Sequence, residues 1–228
     1  MAEAADLRLL PLTFSIPRPM LKLIVFDCDG VLFDSRESNR HFYNHLLHHF
    51  GKPPMTEEEC DFAHIHNTMD AMAHIFRHYP ELDLQEVDRF RLSCDYGPFL
   101  QMLQVERDLI TFLDTVHPHY HLAISTNRTN TMEPLLQKFQ LRQYFGKVMT
   151  AQNAKRPKPA PDALLEILSH YDCRADESIY VGDSTIDQLH AGACGVPFIA
   201  FKNRRLDAAY HVDGFMEILA LPPFARHI

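Results

Sequence analysis

The chain has 228 residues, 46% of them hydrophobic and 23% charged, the balance of a soluble globular protein with length for one large domain or a domain carrying an insertion. A formal charge of −8 argues against a nucleic-acid partner, and no stretch approaches the ~20 apolar residues that span a bilayer. The five cysteines, 28, 60, 94, 173 and 194, are scattered without a C-x-x-C pair, so no disulfide framework or zinc site is indicated and a reducing cytoplasm fits best.

Residues 1–20 carry Glu3, Asp6, Arg8 and Arg18 with prolines at 11, 17 and 19, which describes a surface arm rather than a signal peptide. Residues 21–26 then have the length and Ile/Val/Phe content of a buried strand. Directly behind it stands Asp27-Cys28-Asp29-Gly30. Residues 34–106 hold no convincing strand. Ser35 is placed to cap a helix reaching Gly51, with Phe42, Leu46 and Phe50 on one face. Residues 56–59, Thr-Glu-Glu-Glu, read as a capping box. Helical spacing continues over residues 67–79, which stop at Pro80, and over 84–92 and 98–103. Further strands are expected at 121–125, 147–150, 178–181 and 196–201, separated by helices at 132–141, 161–171 and 185–194. This alternation predicts an α/β fold, a Rossmann-like doubly wound parallel sheet with right-handed crossovers. The expected division is an arm (1–20), a catalytic core (21–35 and 107–228) and an inserted all-helical cap domain (36–106).

Four strand ends carry chemistry. The first presents Asp27 and Asp29, two carboxylates two residues apart, at the sheet edge where open α/β folds bind ligands. The second, His-Leu-Ala-Ile-Ser-Thr-Asn-Arg over 121–128, ends in hydroxyls and an amide. The third is Lys158 in Lys-Pro-Ala-Pro-Asp ahead of a helix. The fourth, residues 178–187, runs into Gly182-Asp183 and reaches a further acid at Asp187. Cys28 lies between two acids, which raise a thiol's pKa rather than activate it.

Over about residues 21–201 these four ordered motifs resemble those of the haloacid dehalogenase-like superfamily, and the helical insertion resembles that of its phosphoglycolate phosphatase and β-phosphoglucomutase branch. The resemblance implies a phosphatase that uses Mg²⁺ and an aspartyl-phosphate. Asp27 is then the nucleophile. Asp29 is the acid and base, which calls for a raised pKa. Lys158 lies beside the phosphoryl oxygens, and Thr126 with the Asn127 N–H binds one of them, Ser125 being the competing hydroxyl. The metal ligands are the Asp27 carboxylate, the Asp29 carbonyl and the Asp183 carboxylate. Asp187 acts through water or by orienting Lys158. Gly30 lets backbone approach the ligand closely. Relatives that attack carbon lack an acid at the position of Asp29, and phosphonate-cleaving relatives use a cap lysine; Lys52 is the lysine of this insertion.

The cap is expected to choose the substrate, a small phosphorylated metabolite of the phosphoglycolate or sugar-phosphate type. His64, His66, Asn67 and Thr68 cluster at a helix junction and form one candidate recognition loop, with His66 taken as a substrate contact. Asn39, Arg40 and Tyr43 form another. His41, His45 and His49 share a helical stripe that reads as polar surface, with zinc as the alternative. Lys202, Arg204 and Arg205 read as a solvated basic loop. A phosphomutase using the same residues, and a non-catalytic ligand- or partner-binding module on this scaffold, are the rival functions. A monomer or homodimer is expected.

Overall fold

The computed structural model describes residues 20–224, so the expected arm lies outside the described residues except for Met20. The first strand, β1 (Leu23–Phe26), is buried along its whole length. Its side chains alternate between two faces, as the strand period of two requires. Ile24 and Phe26 pack with Phe112, Leu113 and Phe145 on one side. Leu23 and Val25 pack with Leu164, Ile167 and Tyr180 on the other. A strand apolar on both faces belongs in the middle of a covered parallel sheet.

There it lies. With β4 (His121–Ser125), β5 (Lys147–Met149), β6 (Ser178–Gly182), β7 (Phe198–Phe201) and β8 (Tyr210–Val212), it forms a six-stranded sheet in the order β5-β4-β1-β6-β7-β8. Every pairing is parallel. The helices α6 (Leu109–Val116), α7 (Met132–Lys138), α8 (Asp162–His170), α9 (Thr185–Ala193) and α10 (Phe215–Leu219) cover it. Strand order reverses at β1, and Phe26 is in register with Ile124 of β4 and Val181 of β6. Three chain ends carrying Asp27, Thr126 and Asp183 therefore leave the sheet side by side at a topological switch point.

Five helices follow β1: α1 (Arg36–His49), α2 (Glu57–Ile65), α3 (Thr68–Ile75), α4 (Leu84–Ser93) and α5 (Gly97–Leu100). They close around a hydrophobic cluster of their own that includes Phe42, Leu46, Met72, Ile75 and Val87. A two-stranded antiparallel ribbon, β2 (Phe33–Asp34) with β3 (Gln104–Val105), joins this unit to the sheet. The capping box forms: Thr56 Oγ1 accepts from Glu59 N–H at 3.2 Å and Glu59 Oε2 accepts from Thr56 N–H at 2.9 Å. Ser35 makes no side-chain capping bond, contrary to expectation. The histidine stripe lies on the surface, as expected, with His41, His45 and His49 all exposed. His49 stacks on Phe90 with ring centroids 3.5 Å apart, and His45 stacks on the same ring. Among the described residues no helix is long and apolar enough to cross a membrane.

Candidate active site

Residues 27, 158 and 183 come from three separate segments and meet at the C-terminal edge of the sheet. Lys158 Nζ lies 2.7 Å from Asp27 Oδ1 and 2.7 Å from Asp187 Oδ1. It also donates to the Tyr180 hydroxyl at 3.2 Å. Carboxylate oxygens of Asp27, Asp183 and Asp187 lie within 4.8 Å of one another. Gly30 has a φ of +77°, and a Cβ there would stand 2.0 Å from Asp183 Oδ2. The turn after Asp29 thus requires glycine for two reasons, the left-handed backbone and the closeness of a carboxylate.

The aspartates differ in electrostatic character. Burial, and then the charge of Asp187, pushes Asp27 up to about 7 against the pull of Lys158. Asp183 is driven well above the usual range by burial, Asp187 and Asp27. Burial also pushes Asp187 upward, but Lys158 prevails and holds it below the usual range, with help from Ser184 and Tyr180. Asp187 Oδ1 takes Lys158 and the Tyr180 hydroxyl, and its Oδ2 takes the N–H and O–H of Ser184. Those bonds occupy its acceptor sites. Asp27 and the partly buried Asp183 are left as crowded carboxylates, and of the two the ammonium contacts Asp27. Such a hard-oxygen pair, short of positive charge, fits a Mg²⁺ ion.

The second motif divides its labour. Ser125 is fully buried, and its Oγ lies 2.9 Å from His190 Nε2, so it is turned away from the aspartates. His190 Nδ1 lies 2.7 Å from the Ala160 carbonyl, and burial lowers the ring's pKa to about 4, so it serves as a neutral strut. Thr126 and Asn127 line the cavity. The Asn127 side-chain amide clamps the Lys158 backbone, accepting at 3.0 Å and donating at 3.3 Å. These bonds fix the lysine's loop to the tip of β4.

One expectation is overturned. The acid role given to Asp29 calls for a raised pKa. Burial does push it up, but Arg128 outweighs burial and holds the carboxyl below its usual range. The guanidinium donates Nε to Asp29 Oδ2 at 2.8 Å and Nη2 to Oδ1 at 2.6 Å, a two-pronged ion pair with Arg128 only 6% exposed. Arg128 stands at the end of the second motif, but nothing in the sequence ties it to an acid 99 residues earlier. Arg128→Met strands a buried carboxylate and should cost about 3 kcal/mol at pH 7.5. A depressed native pKa stabilises the fold above the unfolded value of about 3.9 and loses that stability as pH falls. The deficit, read by urea unfolding, should therefore shrink as pH falls below about 4; a deficit independent of pH would dismiss the ion pair as its cause.

The cap closes over this edge. His64 Nε2 comes within 4.0 Å of Asp183 Oδ2. His66 lines the cavity, but its ring stacks on Phe62 at 3.7 Å and its Nδ1 lies 2.9 Å from the Phe62 carbonyl. His64 rather than His66 is therefore the junction histidine nearest the aspartates. Asn39 and Tyr43 line the cavity, whereas Arg40 turns aside to Glu57 at 2.6 Å. Lys52 pairs with Glu81, and Lys202 and Arg204 pair with Glu106 and Asp213.

The haloacid dehalogenase-like hydrolase family model matches residues 24–201. A phosphoglycolate phosphatase of Aliivibrio fischeri is 29% identical over 185 residues, covering 77% of this chain and 81% of that protein. A fructose-1-phosphate phosphatase of Escherichia coli is 23% identical, covering 76% and 92%. The crystal structure of a subfamily IA hydrolase of this superfamily from Geobacter sulfurreducens superposes with a TM-score of 0.77 at 34% identity, covering 88% of this chain and 98% of that one. The chain belongs to the haloacid dehalogenase-like hydrolases.

Proposed function

We propose that this chain is a Mg²⁺-dependent phosphatase of a small phosphorylated metabolite, of the phosphoglycolate or sugar-phosphate type, working through an aspartyl-phosphate. The observation that carries this reading is the convergence of Asp27, Lys158 and Asp183 on one cavity that also exposes Thr126 and Asn127. A phosphate monoester is anionic and repels a carboxylate, so the reaction needs positive charge around the transferred group. Lys158 supplies one charge. A Mg²⁺ held by the Asp27 and Asp183 carboxylates and the Asp29 carbonyl would supply the rest.

In the first half-reaction an Asp27 oxygen bonds to phosphorus as the ester P–O bond breaks, and the departing oxygen takes a proton. In the second, water adds to phosphorus, loses its proton to a base and frees Asp27 with inorganic phosphate. Asp29 is the base of this second step, and its ionised, Arg128-bound state suits that role. To act as the acid of the first step it must take up a proton, which requires the Arg128 pair to loosen. The Thr126 hydroxyl and Asn127 N–H hold a non-bridging oxygen. Asp187, by gripping Lys158, acts as a positioning residue.

Phosphate release from acetyl phosphate and a panel of phosphorylated metabolites, lost with EDTA and restored with Mg²⁺, tests this reading. No release from any of them would refute it. A phosphohexose returned as its isomer, without free phosphate, would point to the mutase instead. Metal binding has a second readout. Protons compete for Asp27, which titrates near pH 7, so the rise in melting temperature with saturating Mg²⁺ should be about 5–10 °C at pH 8 and less than half of that at pH 5.5. A rise independent of pH would place the ion elsewhere.

A further inference from the structure

Beside Lys158 and Arg128, the cavity is lined by a third cation that the phosphoryl chemistry leaves unused. Its cap wall is built by Asn39 and Tyr43 of α1, Thr68 of α3, Arg91 of α4 and Tyr96. Arg91 is the cation of that wall, with its side chain only 10% exposed. Its Nε donates to Asp88 Oδ1, one turn back, at 2.7 Å. Among the described residues its two terminal nitrogens have no hydrogen-bond acceptor. A guanidinium carries five N–H donors, so four stay open on a side chain largely withdrawn from water. Those nitrogens are not among the buried atoms left without a partner, so they reach the water of the cavity that Arg91 lines, where an incoming oxyanion can replace it. The two core cations are committed, Lys158 to Asp27 and Asp187 and Arg128 to Asp29. The open fork of Arg91 suits a planar carboxylate or a phosphate, each of which accepts two parallel bonds.

We infer that Arg91 reads a second oxyanion on the substrate, so that the preferred ester carries its scissile phosphoryl group at one end and a carboxylate or a second phosphate at the other. The inference rests on the phosphatase reading above and narrows it, since a sugar phosphate with an uncharged tail leaves Arg91 unanswered. The cavity measures only about 80 Å³, so the spacer between the two anions is short.

A series of two-carbon phosphate esters tests this. Ethyl phosphate, 2-hydroxyethyl phosphate and 2-aminoethyl phosphate lack the second anion. Phosphoglycolate supplies a carboxylate and ethylene glycol bisphosphate a second phosphate. With Mg²⁺ present, kcat/KM for one of the last two should exceed that for 2-hydroxyethyl phosphate by about 10- to 100-fold, the worth of a charge-assisted bond pair. Whichever anion leads identifies the natural tail. Arg91→Met should erase that preference while changing ethyl phosphate turnover less than about twofold, and Arg91→Lys should keep part of it. If the Met variant does not fold, Arg91→Gln takes its place. Equal rates across the series, or a preference that survives loss of Arg91, would overturn the inference. Calorimetric binding of the same esters to Asp27→Asn, with and without Arg91→Lys, separates this question from catalysis. If no ester is hydrolysed, the phosphatase reading falls, while weaker binding of the two-anion esters in the Arg91 variant still supports the subsite. Unchanged binding sinks the subsite even where hydrolysis proceeds.

Discussion

Asp27→Asn should abolish phosphate release, by about four orders of magnitude or more, and should not weaken the fold. The loss of rate follows from the role: an amide oxygen is too poor a nucleophile to take the phosphoryl group, and no neighbour can substitute. Cys28 is fully buried, and burial with the flanking acids drives its thiol well above its ordinary pKa. Removing one member of a unit that acts together costs nearly the whole of its contribution. Stability runs the other way. The amide introduced at position 27 retains an oxygen to accept from Lys158, and the substitution removes one of the like charges that drive Asp183 upward. In the wild type Asp27 titrates near 7, above the unfolded value of about 3.9. The native state then holds its proton more tightly than the unfolded state, so metal-free stability falls as pH rises from about 4 to 7. The variant escapes that loss. Its metal-free melting temperature at pH 8 should equal or exceed that of the wild type, by up to a few kcal/mol in equivalent stability. Retained turnover, or a fold weakened at pH 8, would contradict the assignment.

Lys158→Met is expected to damage both activity and stability. Lys158 is 4% exposed and is the ammonium shared by Asp27 and Asp187. Its removal leaves Asp187, fully buried, with only neutral hydroxyl and N–H partners. Breaking a buried ion pair from one side typically costs about 3–5 kcal/mol. In a chain of this length that is a fall of roughly 10 °C in melting temperature. Asp187 titrates below its usual range in the wild type, so the pair stabilises the fold above pH 4 and the deficit should narrow on acidification. Turnover should fall about 10³-fold, because one positive charge facing the transferred group is lost. Mg²⁺ should restore part of the lost stability, since Asp27 and Asp183 remain. A variant as stable as the wild type at pH 8 would show that the ammonium is not what neutralises these acids.

The sheet was legible in the sequence because its central strands are short apolar runs ending in acids or hydroxyls, and such runs have no other stable place. The four strand-end motifs carried the site for the same reason: each side chain sits within three residues of a strand terminus or within four of a helix start. Other features were hidden. β8 is a three-residue edge strand, Tyr-His-Val, too short and too polar to stand out. α6 fell in a stretch to which the sequence reading assigned no element, although Leu109, Phe112, Leu113 and Val116 share its buried face. Arg128 and His190 are side chains whose partners lie 99 and 65 residues away, and pairings of that kind belong to the tertiary fold. The raised pKa expected for Asp29 failed because proximity of like charge was weighed without the guanidinium that the tip of β4 delivers. Among the cap histidines, His66 was spent on Phe62 by a local hydrogen bond and stack, which left His64 to face the aspartates.

The most direct test of the central claim is peptide mass spectrometry of enzyme turning over acetyl phosphate with Mg²⁺ and quenched in acid. A phosphoryl group is expected on the peptide that carries Asp27, labile to hydroxylamine and absent from Asp27→Asn. Rapid phosphate release with no phosphorylated peptide, or with the label on Asp183 or Cys28, would contradict the claim.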